Sequence, residues 1–433
     1  MLCQFIRGKF PAALALFALT PSLTFADTIG AGYGVDATQT LPAITTLAAY
    51  DTLSNGNRVV YDGSQIWIET DAGAVVQVLG NPNPNSFASF IEVDPTETFA
   101  LLGENNMGNI YKVSLTTGNP TLLATLAYNF DLVYESSTSA LVSAAATSFA
   151  FNDIYRLDIT TGATTLIATA QGPSGPLALS PAGDLYYATQ SGTFPTPPGS
   201  TDIIRWTAGQ ITNGPFPLPQ SRATVFTPGL DGGASMVFDT AFGNLFVSES
   251  VYGGTSAVVE IDRTGAIVGD AVTSLDTLGR IEIVDTAGDG ACAAFQPAGR
   301  ALKYRTTDFI SFSSKVTTLS PRRPILTSVQ NGDNTMTCTL TGGAPNSSAF
   351  VISGTVAMYN PSELSYDLAT HLFWTGMPFN NIRRAGIQFA TDATGTGSFT
   401  FSNPPSSQGL FVIQALVRNS LGVYRGTSTA AFN

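Results

Sequence analysis

The chain has 433 residues, enough for two or three domains, and carries 31 Asp and Glu against 19 Lys and Arg for a net charge of −12 at pH 7. An acidic surface repels phosphate, which argues against nucleic acid as a partner, and it offers no polybasic patch to a membrane. With charged residues at only 12% and 42 glycines, the composition fits a turn-rich β protein rather than a helical cytosolic one.

The first predicted element is a leader. Arg7 and Lys9 make a short basic start, Ala12 to Thr20 is apolar, and Thr24-Phe25-Ala26 puts small residues where a signal peptidase reads them. Residues 1–26 are therefore expected to be a signal peptide, so that the product is exported: extracellular, at the cell surface or periplasmic. No later apolar stretch is long enough for a transmembrane segment. Two cysteines follow the leader, Cys292 and Cys338. Whether they pair or remain two buried thiols is left open by their positions alone.

From there the chain repeats itself. "IYKVSLTTGNPTLLATL" begins at Ile110 and "IYRLDITTGATTLIATA" at Ile154. In each, apolar residues alternate with polar ones, as on a strand with one buried face, then Thr-Thr-Gly makes a tight turn into a second apolar strand. Weaker copies start at Ile66, Ile203 and Val258, with turn glycines Gly73, Gly209 and Gly265, and a sixth begins at Ala301. A strand–turn–strand motif precedes most hairpins, as in "FIEVDPTETFALL" from Phe90 and "LALSPAGDLYYAT" from Leu177. Motif and hairpin together make a four-stranded unit of about 44 residues, the size of a β-propeller blade. One blade cannot bury both faces of its sheet; a ring of blades can. The expected architecture is all-β: a six-bladed propeller over residues 27–319. "AGYGVDA" from Ala31 is read as a closing outer strand for the last blade.

"SGPLALSPAGDLYYAT" (Ser174 to Thr189) and "ASMVFDTAFGNLFVSES" (Ala234 to Ser250) resemble NHL- and SMP-30-type repeats of TolB-like propellers, in which an apolar strand precedes an Asp/Ser-Pro-x-Gly-Asn/Asp turn and a Leu-Tyr-Val strand. The resemblance speaks for the fold far more than for function, because that fold hosts lactonases, lyases, receptors and scaffolds.

Within such blades the Thr-Thr-Gly and Asp-Pro turns share one face of the disc. The longer "TQSGTFPTPPGST" (Thr189 to Thr201) and "PFPLPQSRATVFTPGLDGGA" (Pro215 to Ala234) are expected on the other, where a protein, glycan or small ligand would dock. SMP-30-like lactonases gather oxygen ligands around a divalent ion at that end of the channel. The resemblance therefore points to Glu104, Asp131 and Glu249 as metal candidates and to calcium as the possible cofactor, although the family's ligand pattern is not matched residue for residue. "DTAGDG" at Asp285 to Gly290 echoes a calcium loop but has Ala287 where an oxygen ligand belongs, and reads as a turn. The sole histidine, His371, lies beyond the propeller. That removes a Ser-His-Asp triad, a His-ligated zinc and a histidine acid/base from the ring, and disfavours a streptogramin-lyase-like activity.

After the basic, proline-bearing "SPRRP" (Ser320 to Pro324), seven or so short strands predict a C-terminal β-sandwich over residues 320–433. "DATGTGSFTFSNPP" and "GLFVIQALVRNSLG" resemble modules at the C-termini of exported bacterial surface proteins. The resulting expectation is an exported, non-catalytic binding or scaffold protein. Two alternatives stand beside it: a calcium-type metal-dependent lactonase or hydrolase, and a structural envelope or matrix component.

Overall fold

A computed structural model describes residues 27–433 apart from 31–32, 41–48, 71, 83–87, 105–106, 149–150, 194–195, 240–243, 252–253, 286–299, 309–312, 322–324, 344–345, 356–366, 369–370, 373–382, 403–410, 419–423, 427–429 and 432–433. Six antiparallel sheets follow one another along the chain. Blade 1 is Ala49–Thr52, Arg58–Tyr61, Ile66–Glu69 and Val75–Leu79; blade 2 is Ala88–Val93, Phe99–Glu104, Asn109–Ser114 and Pro120–Thr125. Blade 3 is Asn129–Ser136, Ser139–Ser148, Phe151–Asp158 and Thr164–Gln171; blade 4 is Leu177–Leu179, Leu185–Ala188, Thr201–Trp206 and Thr224–Leu230. Blade 5 is Ser235–Asp239, Asn244–Glu249, Ser256–Ile261 and Ile267–Ser274. Blade 6 takes Thr277–Asp285, Arg300–Asp308 and Ser313–Pro321, and borrows its outer strand, Tyr33–Thr40, from the beginning of the fold. The first strand of each blade touches the first strand of the next, and that of blade 6 touches that of blade 1, so the ring is closed.

The second strands show why a ring is needed. Ala140 and Val142 pack in the cluster between blades 2 and 3, while Leu141, between them in sequence, packs in the cluster between blades 3 and 4. Alternate side chains of one strand thus enter two different cores, so Ala140, Leu141 and Val142 are apolar in succession. A fully buried Leu or Val at such a position stabilises the fold by about 1.5–3 kcal/mol. The seam between blades 6 and 1 differs from the rest. Among the described residues its buried apolar cluster is Tyr50, Val60, Trp67 and Val316. Polar bonds join it across the gap: Thr52 Oγ1 donates to Glu282 Oε2 at 2.6 Å, and Arg58 donates to Gln39 of the closing strand.

Where the repeated turns recur, they are built alike. Asp158 accepts the backbone N–H groups of Thr160 and Thr161, each at 2.8 Å, and Gly162 closes the turn at φ 76°. A Cβ on Gly162 would also stand 2.0 Å from the carbonyl oxygen of Leu123, so both backbone and neighbour require glycine here.

Blades 4 and 6 depart from expectation. Gly209 is not a hairpin turn. Thr207 caps a short helix, Ala208–Asn213, in a capping box with Gln210, and Leu218–Pro219 then pairs in parallel with the outer strand of blade 3. This insertion joins the third and outer strands of blade 4, so it belongs to the face of the Thr-Thr-Gly turns and not to the opposite one. In blade 6 the segment from Ala301 is the second strand, not the start of the outer hairpin. The outer place is filled by Tyr33–Thr40, as read from "AGYGVDA", and Thr28–Ile29 adds a fifth strand to blade 5.

Beyond blade 6 two further antiparallel sheets form. One contains Ile325–Gln330, Thr335–Thr341 and Gly397–Ser402; the other contains Arg383–Ala390, Ser348–Thr355, Phe411–Arg418 and Tyr424–Gly426, with Ala430–Ala431 also on Phe411–Arg418. Leu326, Met336, Cys338 and Leu340 of the first share one core with Val351, Ile413 and Ala415 of the second, the packing of a two-sheet sandwich. Cys338 is a buried free thiol in that core, and burial pushes it up to about 12; Cys292 lies outside the described residues. So do residues 1–26, most of "DTAGDG", and Phe373 and Trp374. His371 falls in a two-stranded ribbon with Asp367–Leu368.

Candidate functional site

The first strands of all six blades line one axial cavity of about 340 Å³. Period-two alternation decides what faces it. Tyr50 and Ile91 turn into the cores between blades, while Asp51 and Glu92, next to them in sequence, line the cavity. Blade 3 contributes Asp131, blade 5 Ser235, and blade 6 Arg280 and Glu282; Leu179, Val237 and Ile283, partly exposed, make an apolar flank.

Arg280 is the hub. Its Nε donates to Glu282 Oε1 at 2.6 Å, and Nη2 donates to Asp51 Oδ1 at 3.0 Å and to Glu92 Oε2 at 2.9 Å. A further bond joins Nη1 to Glu92 Oε1. Carboxylates from blades 1, 2 and 6 are thereby tied across the axis by one guanidinium. The remaining lone pairs stitch neighbouring first strands together. Asp51 Oδ2 accepts the N–H of Val93 at 2.5 Å, Asp131 accepts those of Leu132 at 2.9 Å and Leu177 at 2.8 Å, and Ser235 Oγ accepts that of Ile281 at 3.3 Å.

Four carboxyls and one guanidinium in a partly desolvated channel set the electrostatics. Burial raises Asp51 well above the usual carboxylate range, against the pull of Arg280, and raises Glu92 as well. Asp131 has no bond to Arg280. Burial first and the Glu92 charge second bring it to about 7. For Arg280, burial works to remove the charge, but Glu92, Asp51 and Glu282 outweigh it and hold the guanidinium protonated well above its ordinary value.

The three metal candidates are not side by side. Asp131 lines the axis. Glu104 ends the second strand of blade 2, buried, and accepts from Asn109 Nδ2 at 3.0 Å. Glu249 ends the second strand of blade 5 and accepts the N–H of Asp231 at 2.9 Å. Asn129 ties blade 3 to blade 2 by donating to the carbonyls of Glu104 and Leu126 at 3.1 and 3.2 Å. Among the described residues, no group of three or more His, Cys, Asp or Glu side chains is arranged to hold a metal ion. The oxygens of the axial cavity suit calcium chemically, but a guanidinium stands where their charges meet, so this arrangement is not the open cage of six to eight oxygens that calcium takes. Asp51, Glu92 and Glu282 were not singled out from the sequence. The available signal was an acid inside an otherwise apolar first strand, as in "FIEVD" and "IEIVD".

The ring of six sheets closed by an N-terminal outer strand defines a six-bladed β-propeller. No protein-family model matches the chain, and no curated protein matches it in sequence. Among solved structures it is similar to a gluconolactonase from Xanthomonas campestris, with 18% identity, 68% of this chain and 94% of that one covered, and a TM-score of 0.49. It is also similar to the calcium-binding protein regucalcin from Agrobacterium tumefaciens (14%, 66% and 95%, TM-score 0.44) and to a carbohydrate-active enzyme of family AA12 from Trichoderma reesei (14%, 68% and 98%, TM-score 0.45). At these scores nothing about activity transfers, and the class rests on the ring itself.

Proposed function

We propose that this is an exported binding protein whose axial cavity takes a small, positively charged ligand. One observation carries the reading: four carboxyls, Asp51, Glu92, Asp131 and Glu282, face a cavity of about 340 Å³ that holds a single guanidinium. A cationic group entering beside Asp131 meets a carboxyl with no cationic partner among the described residues, with Leu179, Val237 and Ile283 to receive an apolar body. Export is supported by the leader pattern of residues 1–26, and no helix among the described residues is long and apolar enough to cross a membrane.

A second reading is favoured by Asp131 alone. A carboxyl brought to about 7 in a cavity is suited to general acid–base work, as in hydrolysis of a cyclic ester. One set of measurements separates the two. Thermal unfolding is followed with calcium, a linear diamine, a neutral sugar and an acidic sugar, alongside lactone hydrolysis with and without calcium. The binding reading expects the diamine to raise the midpoint by several degrees, and Asp131→Asn to abolish the rise. No shift with any cation would remove it. Lactone turnover that rises with pH through about 7 and falls at least about 100-fold in Asp131→Asn would instead establish the hydrolase.

A further inference from the structure

The seam between blades 6 and 1 holds a second cavity of about 340 Å³, which shares no lining residue with the axial one. Strand register sets one wall. Ala37 of the closing strand pairs with Thr318, and Gln39 pairs with Val316, so these four side chains stand on one face of blade 6. Val316 packs with Tyr50, Val60 and Trp67, so that face looks at blade 1. Opposite stand Arg58, which opens the second strand of blade 1, and Ala72, in the turn between its third and outer strands. Gly73 of the same turn has φ 84°, and a Cβ there would lie 2.5 Å from Gln39 Nε2, so glycine makes room for the Gln39 amide.

The polar groups around this cavity are donors. Arg58 is 1% exposed; its Nη2 and Nε donate to Glu69 Oε1 at 2.8 and 3.2 Å, and Glu69 Oε2 accepts Trp67 Nε1 at 2.8 Å. Glu69 is fully buried and does not line the cavity, so the ion pair shows it the guanidinium end. Gln39 Oε1 accepts from Arg58, whereas Gln39 Nε2 and Thr318 Oγ1 have no hydrogen-bond partner among the described residues. No lining residue is acidic. Packing alone does not call for this. The second strands of blades 2 and 4 open with buried Phe99 and Leu185, and a buried ion pair returns little beyond its own desolvation cost. A dry guanidinium facing open space with two spare donors is instead suited to holding an anion of planar oxygens.

We propose that the seam cavity binds a small carboxylate, which faces the Arg58 guanidinium, accepts from Gln39 Nε2 and Thr318 Oγ1, and rests its carbon chain on Ala37, Ala72 and Val316. Ala37 and Gln39 belong to the closing strand, Arg58 and Ala72 to blade 1. The bound acid therefore bridges the two blades at the place where the ring closes and stabilises that closure. This site is independent of what the axial cavity takes.

The test follows thermal unfolding of the full chain with lactate, with lactamide as its uncharged counterpart, and with chloride at the same ionic strength. Lactate is expected to raise the midpoint by at least about 2 °C, and lactamide and chloride by less than half as much. Lactate is also expected to slow amide hydrogen exchange in Tyr33–Thr40. Two variants locate the effect. Ala72→Leu fills the cavity from an exposed position and leaves the Arg58–Glu69 pair in place; Thr318→Val keeps the buried volume and removes one donor. Ala72→Leu is expected to abolish the rise and Thr318→Val to reduce it at least about twofold. An equal rise with lactamide overturns the carboxylate. No rise with lactate, a rise undiminished in Ala72→Leu, or unchanged exchange in the closing strand overturns the site.

Discussion

Asp131 shows how one side chain can serve the ring and work against it. It accepts two backbone N–H groups, one of them from the next blade, yet burial and Glu92 hold its carboxyl up to about 7. In the unfolded chain the same group releases its proton near about 3.9. Between those values the folded protein keeps a proton that the unfolded chain has lost. This group's contribution is therefore fully favourable below about 4 and is lost as pH rises to about 7. The penalty at neutral pH is at most about 4 kcal/mol, and smaller to the extent that water in the channel screens it. In Asp131→Asn, urea unfolding at pH 4.5 and 7.5 should show a smaller fall in stability with rising pH than in the parent. An equal fall would mean that the carboxyl titrates normally. The resemblance read from the sequence made Asp131 visible as a metal candidate. It did not show that Arg280 would tie Asp51 and Glu92 to Glu282, because Asp51 and Glu92 stand 229 and 188 residues from Arg280 in the sequence.

At the scale of elements, turn chemistry was legible and insertions were not. Asp158-x-x-x-Gly162 reads directly as the turn it forms, because the acid has backbone N–H groups to accept and only glycine tolerates the positive φ without strain. Gly162→Ala should cost more than about 1 kcal/mol by urea unfolding, since strain at φ 76° is joined by a clash with the Leu123 carbonyl. Gly265 sits at φ 91°, and a Cβ there would stand 2.1 Å from the Phe226 carbonyl oxygen, the same device in blade 5. In blade 4, "TAGQI" imitates this turn, but Thr207 and Gln210 stand three residues apart and close a capping box instead. That spacing was in the sequence. Its outcome also depended on Leu218 finding a buried place beside Ala168 of the neighbouring blade, which no local pattern records.

For the whole molecule, closure is the decisive event. Tyr33–Thr40 waits for Ser313–Pro321, and Thr28–Ile29 for Ile267–Ser274, so the first strands to emerge pair with nearly the last of the ring. Such long-range pairing is slow, and it leaves the edges of blades 5 and 6 open until it forms. A chain lacking residues 27–40 should lose single-step unfolding in urea and elute from size exclusion as aggregates. A monomer unfolding in one step would show that closure rests elsewhere. Period-two alternation, tight turns and a repeat of about 44 residues were enough to determine blades and a ring, because those features follow from local backbone geometry and from the need of each sheet to bury two faces. Only the tertiary structure decided which acids meet on the axis, which cation holds them and which strand completes blade 6. Those outcomes are set by side chains far apart in sequence competing for the same desolvated space, and a linear pattern carries no distance between them.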